Sequence, residues 1–135
     1  MGAALRVFLL VKPPFVADGE QDEWLVRSIE EAIDCGASVV SLIPTRHGNG
    51  AMEALMATGD FTPPHLADLE RSLTLGIDLA PRRGVRVFAD LWDLDRFASC
   101  PHCLADRRER LRTMNVEQRD LPAAECAFCD GGPVQ

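Results

Sequence analysis

The stretch Leu5-Arg6-Val7-Phe8-Leu9-Leu10-Val11 is almost entirely apolar, and Lys12-Pro13-Pro14 follows it directly. A short apolar run without polar alternation is typical of a strand that is buried on both faces of a parallel sheet. The proline pair predicts the end of that strand, because proline has no backbone N–H to donate to a neighbouring strand. This stretch therefore predicts a first strand of an α/β fold with both of its faces covered.

A helix and a second strand are predicted next along the chain. Apolar residues fall on one helical stripe between Trp24 and Ile33, and Gly36 stands where a left-handed helix cap belongs. The stretch Ser38-Val39-Val40-Ser41-Leu42-Ile43 predicts a second buried strand, which Pro44 ends. A strand, a helix and a strand in this order predict that the two strands pair in parallel.

The following segments predict two more helices and a third strand. The helices are expected around residues 52–56 and after Thr62-Pro63-Pro64, and Pro81 and Gly84 mark the break behind them. The third strand is expected at residues 85–91, where partial alternation indicates one face that is less protected than in the first two strands. Three parallel strands neither close a barrel nor complete a doubly wound sheet, so we expect part of a larger α/β fold.

Four cysteines form two CxxC pairs, Cys100-Pro101-His102-Cys103 and Cys126-Ala127-Phe128-Cys129. Each CxxC turn directs two thiolates at one ion, and two such turns complete a closed four-thiolate site of the structural zinc kind. The 22 residues at 104–125 between the pairs slightly exceed the usual spacing. We predict a small zinc-ribbon-like tail, with an iron–sulfur or redox role and cysteines that bind nothing as open alternatives. His102 is a further candidate ligand, whereas Cys35 is expected to be a small buried side chain.

Composition restricts the classes of function. A chain of 135 residues with 47% hydrophobic and 26% charged residues is typical of one globular protein with a modest core. The net charge of −7 argues against a surface that coats nucleic acid, although a local basic face stays open. The apolar run at residues 7–11 is far too short to span a bilayer, so we expect a cytoplasmic protein with no membrane partner.

One candidate basic face follows the first CxxC pair. It consists of four arginines that are interspersed with Asp106 and Glu109, namely Arg107, Arg108, Arg110 and Arg112. This mixture of charges favours a solvated helix face, and contact with tRNA or another RNA is the alternative.

Polar residues stand at the end of each predicted strand: Lys12 after the first, Thr45 and Arg46 after the second, and Asp90 and Asp93 around the third. In parallel α/β folds, ligands bind at the carboxyl ends of the strands, so these residues are candidates for a binding site. Solvated edge charges and aspartates that cap a following helix are the alternatives.

The loop Gly48-Asn49-Gly50 precedes a predicted helix and offers backbone N–H groups to a phosphate or carboxylate. It lacks the full spacing of a Walker or dinucleotide-binding loop, and an ordinary turn is the alternative. Asn49 joins Lys12, Thr45 and Arg46 as the predicted cofactor-binding set.

Several segments, in their order along the chain, resemble the carboxyl-terminal half of radical S-adenosylmethionine (SAM) proteins related to the archaeosine-biosynthesis radical SAM family. They are Lys12-Pro13-Pro14-Phe15, Ser41-Leu42-Ile43-Pro44-Thr45, Met52-Glu53-Ala54-Leu55 and Gly59-Asp60-Phe61-Thr62-Pro63-Pro64. The resemblance covers most of the chain, residues 5–130. It implies a partial TIM-like barrel, an iron–sulfur cluster that cleaves SAM to a radical, and a modified 7-deazaguanine base in tRNA as substrate. It also implies that Lys12, Thr45 and Arg46 lie at strand ends that face the cofactor or substrate.

The sequence departs from this family at the cluster motif. Radical SAM chemistry needs CxxxCxxC, in which three thiolates leave one iron open for SAM, and no such motif occurs in this chain. We therefore expect a partial TIM-like half barrel with parallel strands over residues 1–98 and a metal-binding tail over residues 99–135, without catalysis by this chain alone.

Two hypotheses of function follow from this departure. In the first, the chain is a truncated or split radical SAM protein for tRNA base modification, and SAM and the iron–sulfur cluster come only with a partner chain that carries the amino-terminal half. This hypothesis predicts an exposed apolar sheet edge at which the missing strands pair. In the alternative, the chain is a stand-alone zinc-binding interaction module.

Overall fold

The computed structural model describes residues 3–80 and 83–129, so Pro81 of the predicted break lies outside the described residues. Three strands are present, namely β1 (Leu5–Val11), β2 (Ala37–Pro44) and β3 (Arg86–Ala89). Four α-helices are present, namely α1 (Gln21–Asp34), α2 (Ala51–Thr58), α3 (Leu66–Leu79) and α4 (Leu104–Glu117). Short 3-10 turns occupy Asp18–Glu20 and Leu94–Phe97. These elements confirm the mixed α/β class.

The three strands form one parallel sheet in the order β1-β2-β3. Helices α1 and α3 pack against the sheet and against each other, and their apolar residues share one core with Val40 and Val87. Asp22 of α1 and Arg71 of α3 form an ion pair at the surface of this layer. The two helices therefore cover the same face of the sheet.

The opposite face of the sheet has no covering helix among the described residues. Phe8, Ser41 and Phe88 lie in register across its three strands, and Leu10 and Ile43 form the next pair on β1 and β2. Phe8 is 61% exposed and Leu10 is 42% exposed. The prediction that β1 is buried on both faces was wrong, and β1 rather than β3 is the least protected strand. An apolar run indicates a strand, but it does not reveal how many layers cover it.

The two outer edges of the sheet differ. At the free edge of β3, Gln118 Oε1 accepts a hydrogen bond from Val87 N at 2.8 Å, and Gln118 Nε2 donates to Val87 O at 2.7 Å. Asn115 pairs with Ala89 in the same way, at 2.8 and 3.0 Å. These two amides take the place of a fourth strand. Within the described ranges, the free edge of β1 has no such partner.

The stripe predicted for α1 is confirmed. Leu25, Ile29 and Ala32 are buried on its inner side. Gly36 follows the helix with φ of 94°, and its N–H donates to Ile33 O at 2.9 Å. A glycine is suited to this position because a left-handed backbone carries a steric cost for residues with a Cβ atom.

The core continues from the sheet into α4. Leu111 and Met114 of α4 belong to the same buried cluster as Val87, Leu94 and Phe97. The division of the chain at residue 98 stays a prediction, and the sheet and α4 share one core. The described part of the chain contains no helix with the length and apolar character that a bilayer span requires.

Candidate metal centre

The two CxxC turns meet at the start of α4. Cys103 is the residue that caps this helix, and its carbonyl accepts a hydrogen bond from Arg107 N at 3.0 Å. In the second turn, Cys129 N donates to Cys126 O at 3.2 Å. The first turn is therefore anchored at the start of α4, and the second turn is closed by a backbone hydrogen bond of its own.

The four cysteine sulfur atoms form one compact group. All of them lie within 4.8 Å of one another, and Cys100 Sγ and Cys126 Sγ, from different turns, are 3.9 Å apart. Around a tetrahedral zinc ion with Zn–S bonds of about 2.3 Å, the sulfurs lie about 3.8 Å apart. The sulfurs of a disulfide lie only about 2.05 Å apart. The predicted cluster is therefore present as four free cysteines that can hold a metal ion.

Burial and hydrogen bonding make the four thiols unequal. Cys103 and Cys126 are buried, whereas Cys100 and Cys129 are partly exposed. The hydrogen bond between the Cys129 and Cys100 side chains lowers the pKa of Cys100 to about 7 and raises the pKa of Cys129 to about 12. Burial raises the pKa of Cys103. Cys100 is thus the thiol that ionises near neutral pH, and a bound cation would displace the remaining protons because thiolates are the ligands.

A buried ion-pair network supports the first turn. Arg107 is 1% exposed, and its Nε donates to Glu70 Oε1 of α3 at 2.9 Å. Arg110 Nη1 donates to Glu70 Oε2 at 3.2 Å, and Arg110 Nη2 donates to Leu121 O at 2.7 Å. Arg107 also hydrogen-bonds to the Cys103 sulfur, which lowers the pKa of that thiol against the larger effect of burial. Glu70 thus joins α3 to the metal-binding turn and to the segment that leads to the second turn.

The prediction of a solvated arginine face on α4 was wrong for two of its four members. Arg107 is buried and Arg110 is half-buried, while Arg108 and Arg112 are exposed. The sequence contained a signal that was missed, because Arg107 lies four residues before the buried Leu111 and therefore on the same side of the helix. An RNA-binding face built from all four arginines does not exist in this arrangement.

His102 lies outside the group of four sulfurs. Its ring stacks on Phe128, which holds the same place in the second turn, with 3.8 Å between ring centroids and 16° between ring planes. The two turns therefore contact each other through these rings as well as through their sulfurs. Cys35 lies at the end of α1 and is exposed, so the prediction that it is buried was wrong.

Two of the four predicted cofactor-binding residues are buried at the carboxyl ends of their strands. Lys12 follows β1, and its ammonium pairs with Asp18 at 3.0 Å. Thr45 follows β2, and its hydroxyl donates to Val11 O at 2.8 Å. Lys12 lines a cavity of about 360 Å³ beside β1, and the other three predicted residues do not line it.

The other two predicted cofactor-binding residues also bind within the chain. Arg46 donates to Trp92 O at 2.7 Å and lies over the Trp92 ring, with its guanidinium carbon 4.9 Å from the ring centroid. Asn49 Oδ1 accepts a hydrogen bond from Met52 N at 3.1 Å at the start of α2. Each of the four side chains thus has a partner within the chain, and their binding of a cofactor stays a prediction.

The glycine loop binds a carboxylate from its own chain. Gly48 N donates to both carboxylate oxygens of Glu53, at 2.8 and 3.1 Å, and Gly50 N donates to Oε1 at 3.3 Å. Burial opposes the ionisation of Glu53, but the hydrogen bonds from Gly50 and Gly48 outweigh it and lower the pKa of Glu53. These N–H groups are therefore engaged with Glu53.

The sequence matches no protein-family model, no curated protein and no solved structure at a significant level. The functional argument therefore depends on the chemistry of the chain's own residues.

Proposed function

We propose that this chain is a zinc-stabilised α/β module that binds a partner protein and has no catalytic activity of its own. The observation that carries the proposal is the group of four cysteine sulfurs within 4.8 Å of one another. Four thiolates fill the tetrahedral coordination of zinc, so no open position is left for a substrate or a reactive water. Zinc in such a site stabilises structure.

The spacing of the sulfurs favours one ion over a multi-iron cluster. A cluster places several irons and sulfides between its ligands, so its cysteine sulfurs must lie further apart than those around a single ion. The 3.9 Å between Cys100 Sγ and Cys126 Sγ matches the shorter spacing. Among single ions, tetrahedral thiolate coordination suits zinc. A reducing compartment such as the cytoplasm fits this role, because the site needs its cysteines as free thiols.

The test is a zinc titration of the purified chain with and without Cys126→Ser. We expect about one zinc per chain, and we expect Cys126→Ser to weaken binding strongly because three thiolates remain of four. Cys35→Ser is the matched control, since Cys35 is exposed and lies outside the cluster. Equal zinc binding by both variants would contradict the proposal, as would bound iron with sulfide in place of zinc.

Zinc removal should affect the second turn most. In residues 122–129, Cys126 is the one buried residue, so this segment has little apolar burial to hold it in place. We expect chelation to accelerate amide hydrogen exchange at residues 123–129, while the amides of β2 stay protected. Uniform acceleration across the chain would mean that the metal holds the whole fold together.

A second candidate function is that of one part of a partner-completed barrel enzyme. It is favoured by the strand order β1-β2-β3 with α1 and α3 on one face, since a barrel sheet has helices on its outer face alone and a doubly wound sheet has them on both. The resemblance to radical SAM proteins makes the missing part a chain with CxxxCxxC, which supplies the iron–sulfur cluster and SAM for tRNA base modification. In this candidate the chain is a half barrel.

The second candidate requires a partner chain that carries CxxxCxxC, and the test is to co-express this chain with such a partner. We expect the two chains to purify together and to cleave SAM only as a pair. Cleavage by this chain alone, or a failure of the two chains to associate, would contradict the candidate.

A further inference from the structure

The open edge of β1 continues into a groove on the helical side of the sheet. The groove has a volume of about 810 Å³, with Val7 and Leu9 of β1 on one side and Trp24 and Ser28 of α1 on the other. On the opposite side of α1, Asp22 pairs with Arg71 of α3. The groove therefore lies on the flank of α1 that α3 leaves uncovered, next to the edge of the sheet.

The open edge of β1 has room for one more strand, and the groove beside α1 has room for one helix. In parallel α/β sheets, each strand pairs with a neighbour and the adjoining helix packs beside the next helix. At β3, the side-chain amides of Asn115 in α4 and of Gln118 directly after it take the place of a neighbouring strand. At β1, neither the backbone edge nor the flank of α1 has such a partner within the described residues.

The backbone pattern identifies which groups of β1 are open. Val11 O accepts a hydrogen bond from Thr45 N at 3.1 Å, so the backbone of Val11 faces β2. Alternate residues of a strand direct their backbone groups to opposite edges, so Phe8 and Leu10 direct theirs to the open edge. Their side chains are also the most exposed apolar groups of the bare face.

The charged side chains of the groove indicate what kind of helix it binds. Three carboxylates line it, those of Glu20, Glu23 and Glu31, against the single cation of Arg27. An occupying helix therefore needs an apolar face toward Trp24 and basic residues at its margins. A second copy of this chain fits poorly, because two-fold pairing through β1 would bring two acidic grooves together.

We propose that the β1 edge and this groove form a docking surface for a strand–helix segment of another protein chain, whose strand pairs with β1 and whose helix is basic. The inference rests on the proposed role as a partner-binding module and specifies the partner's chemistry. Main-chain hydrogen bonds to Phe8 and Leu10 supply binding, and the carboxylates of the groove supply selectivity.

The test uses the full chain with a designed strand–helix segment joined to its amino terminus through a Gly/Ser linker. One version carries lysines on the helix positions that flank its apolar face, and the matched version carries glutamates there. Because a short linker gives the segment a millimolar effective concentration, we expect the lysine version to slow amide exchange at Phe8 and Leu10 about tenfold or more. The glutamate version should leave both amides close to their rates in the chain without a segment.

A proline variant tests whether the slowed exchange depends on strand pairing at the edge of β1. Leu10→Pro removes an N–H that faces the open edge, which an edge strand tolerates, and should abolish the slowing at Phe8 by the lysine version. Absence of slowing with the lysine version, equal slowing with both versions, or concentration-dependent slowing in the chain without a segment would each overturn the proposal. The edge of β1 is separated from α4 by the other two strands, so a failed zinc titration and a failed docking experiment are separate results.

Discussion

Gly76 of α3 lies directly against Val87 of β3. A Cβ atom on Gly76 would be 2.7 Å from Val87 Cγ1 and 3.5 Å from Ile29 Cδ1. Side-chain atoms do not approach one another to 2.7 Å, so any side chain at position 76 would push α3 away from the sheet. The glycine therefore fixes the distance between the helical layer and the sheet.

Gly76→Ala should destabilise the protein by about 1–3 kcal/mol, because the added methyl group overpacks a closed core. The measurement is urea unfolding followed by circular dichroism. Gly19→Ala is the matched control, since a Cβ at Gly19 has no atom within 4 Å, and it should change the free energy of unfolding by less than about 0.5 kcal/mol. A Gly76→Ala protein as stable as the control would show that α3 moves without cost.

Glu70→Gln should lower the free energy of unfolding by about 3 kcal/mol, because it removes the negative charge that pairs with the buried Arg107. Since Arg107 also contacts the Cys103 sulfur, zinc affinity should fall about tenfold. Urea unfolding and a competitive zinc titration measure the two effects.

The control for Glu70→Gln is Glu109→Gln, which breaks an exposed pair with Arg112 on the same helix. It should change the free energy of unfolding by less than about 0.5 kcal/mol. If both changes had the same small effect, the Glu70 network would not support the metal centre.

Gln118→Glu tests the side-chain hydrogen bonds that cover the outer edge of β3. The new carboxylate still accepts from Val87 N, but it places an oxygen where the amide donated to Val87 O at 2.7 Å. We expect the free energy of unfolding to fall by about 1–3 kcal/mol, because the Val87 carbonyl loses its hydrogen-bond donor. Thermal unfolding measures this change. Glu117→Gln alters the exposed neighbouring residue and should have no comparable effect; a neutral Gln118→Glu would mean that water satisfies this edge.

Acid should loosen the loop at residues 48–50. The folded-state pKa of Glu53 is lowered, so its ionised form contributes stability above the ordinary carboxyl value of 4.5, and that contribution is lost as pH falls through the lowered pKa. The amide NMR shifts of Gly48 and Gly50 should therefore titrate together below pH 4.5. Glu53→Gln should remove this response, and a titration that persists in this variant would assign it to another group.

The strands, the helices and the cysteine cluster could be predicted because each depends on residues close together in the sequence. The stripe of α1 repeats within one helix, and each CxxC turn spans four positions. Local pattern was sufficient for these features.

The ion-pair network and the layer arrangement could not be predicted in the same way. Arg107 pairs with Glu70, which lies 37 residues earlier in the sequence, and Gln118 hydrogen-bonds to Val87, which lies 31 residues earlier. Such pairs depend on how helices dock, which a single sequence does not display. The exposed face of β1 was missed for a related reason, since its apolar side chains fit a covered sheet equally well.

Lys12 is the only lysine in the chain, and it is buried after β1 in its ion pair with Asp18. Amine-selective reagents therefore have one side-chain target, and its burial and its ion pair should make it react more slowly than an exposed lysine. The rate at which Lys12 is acylated then depends on the structure of the segment after β1, so the native sequence already carries a chemical probe beside the open edge of β1.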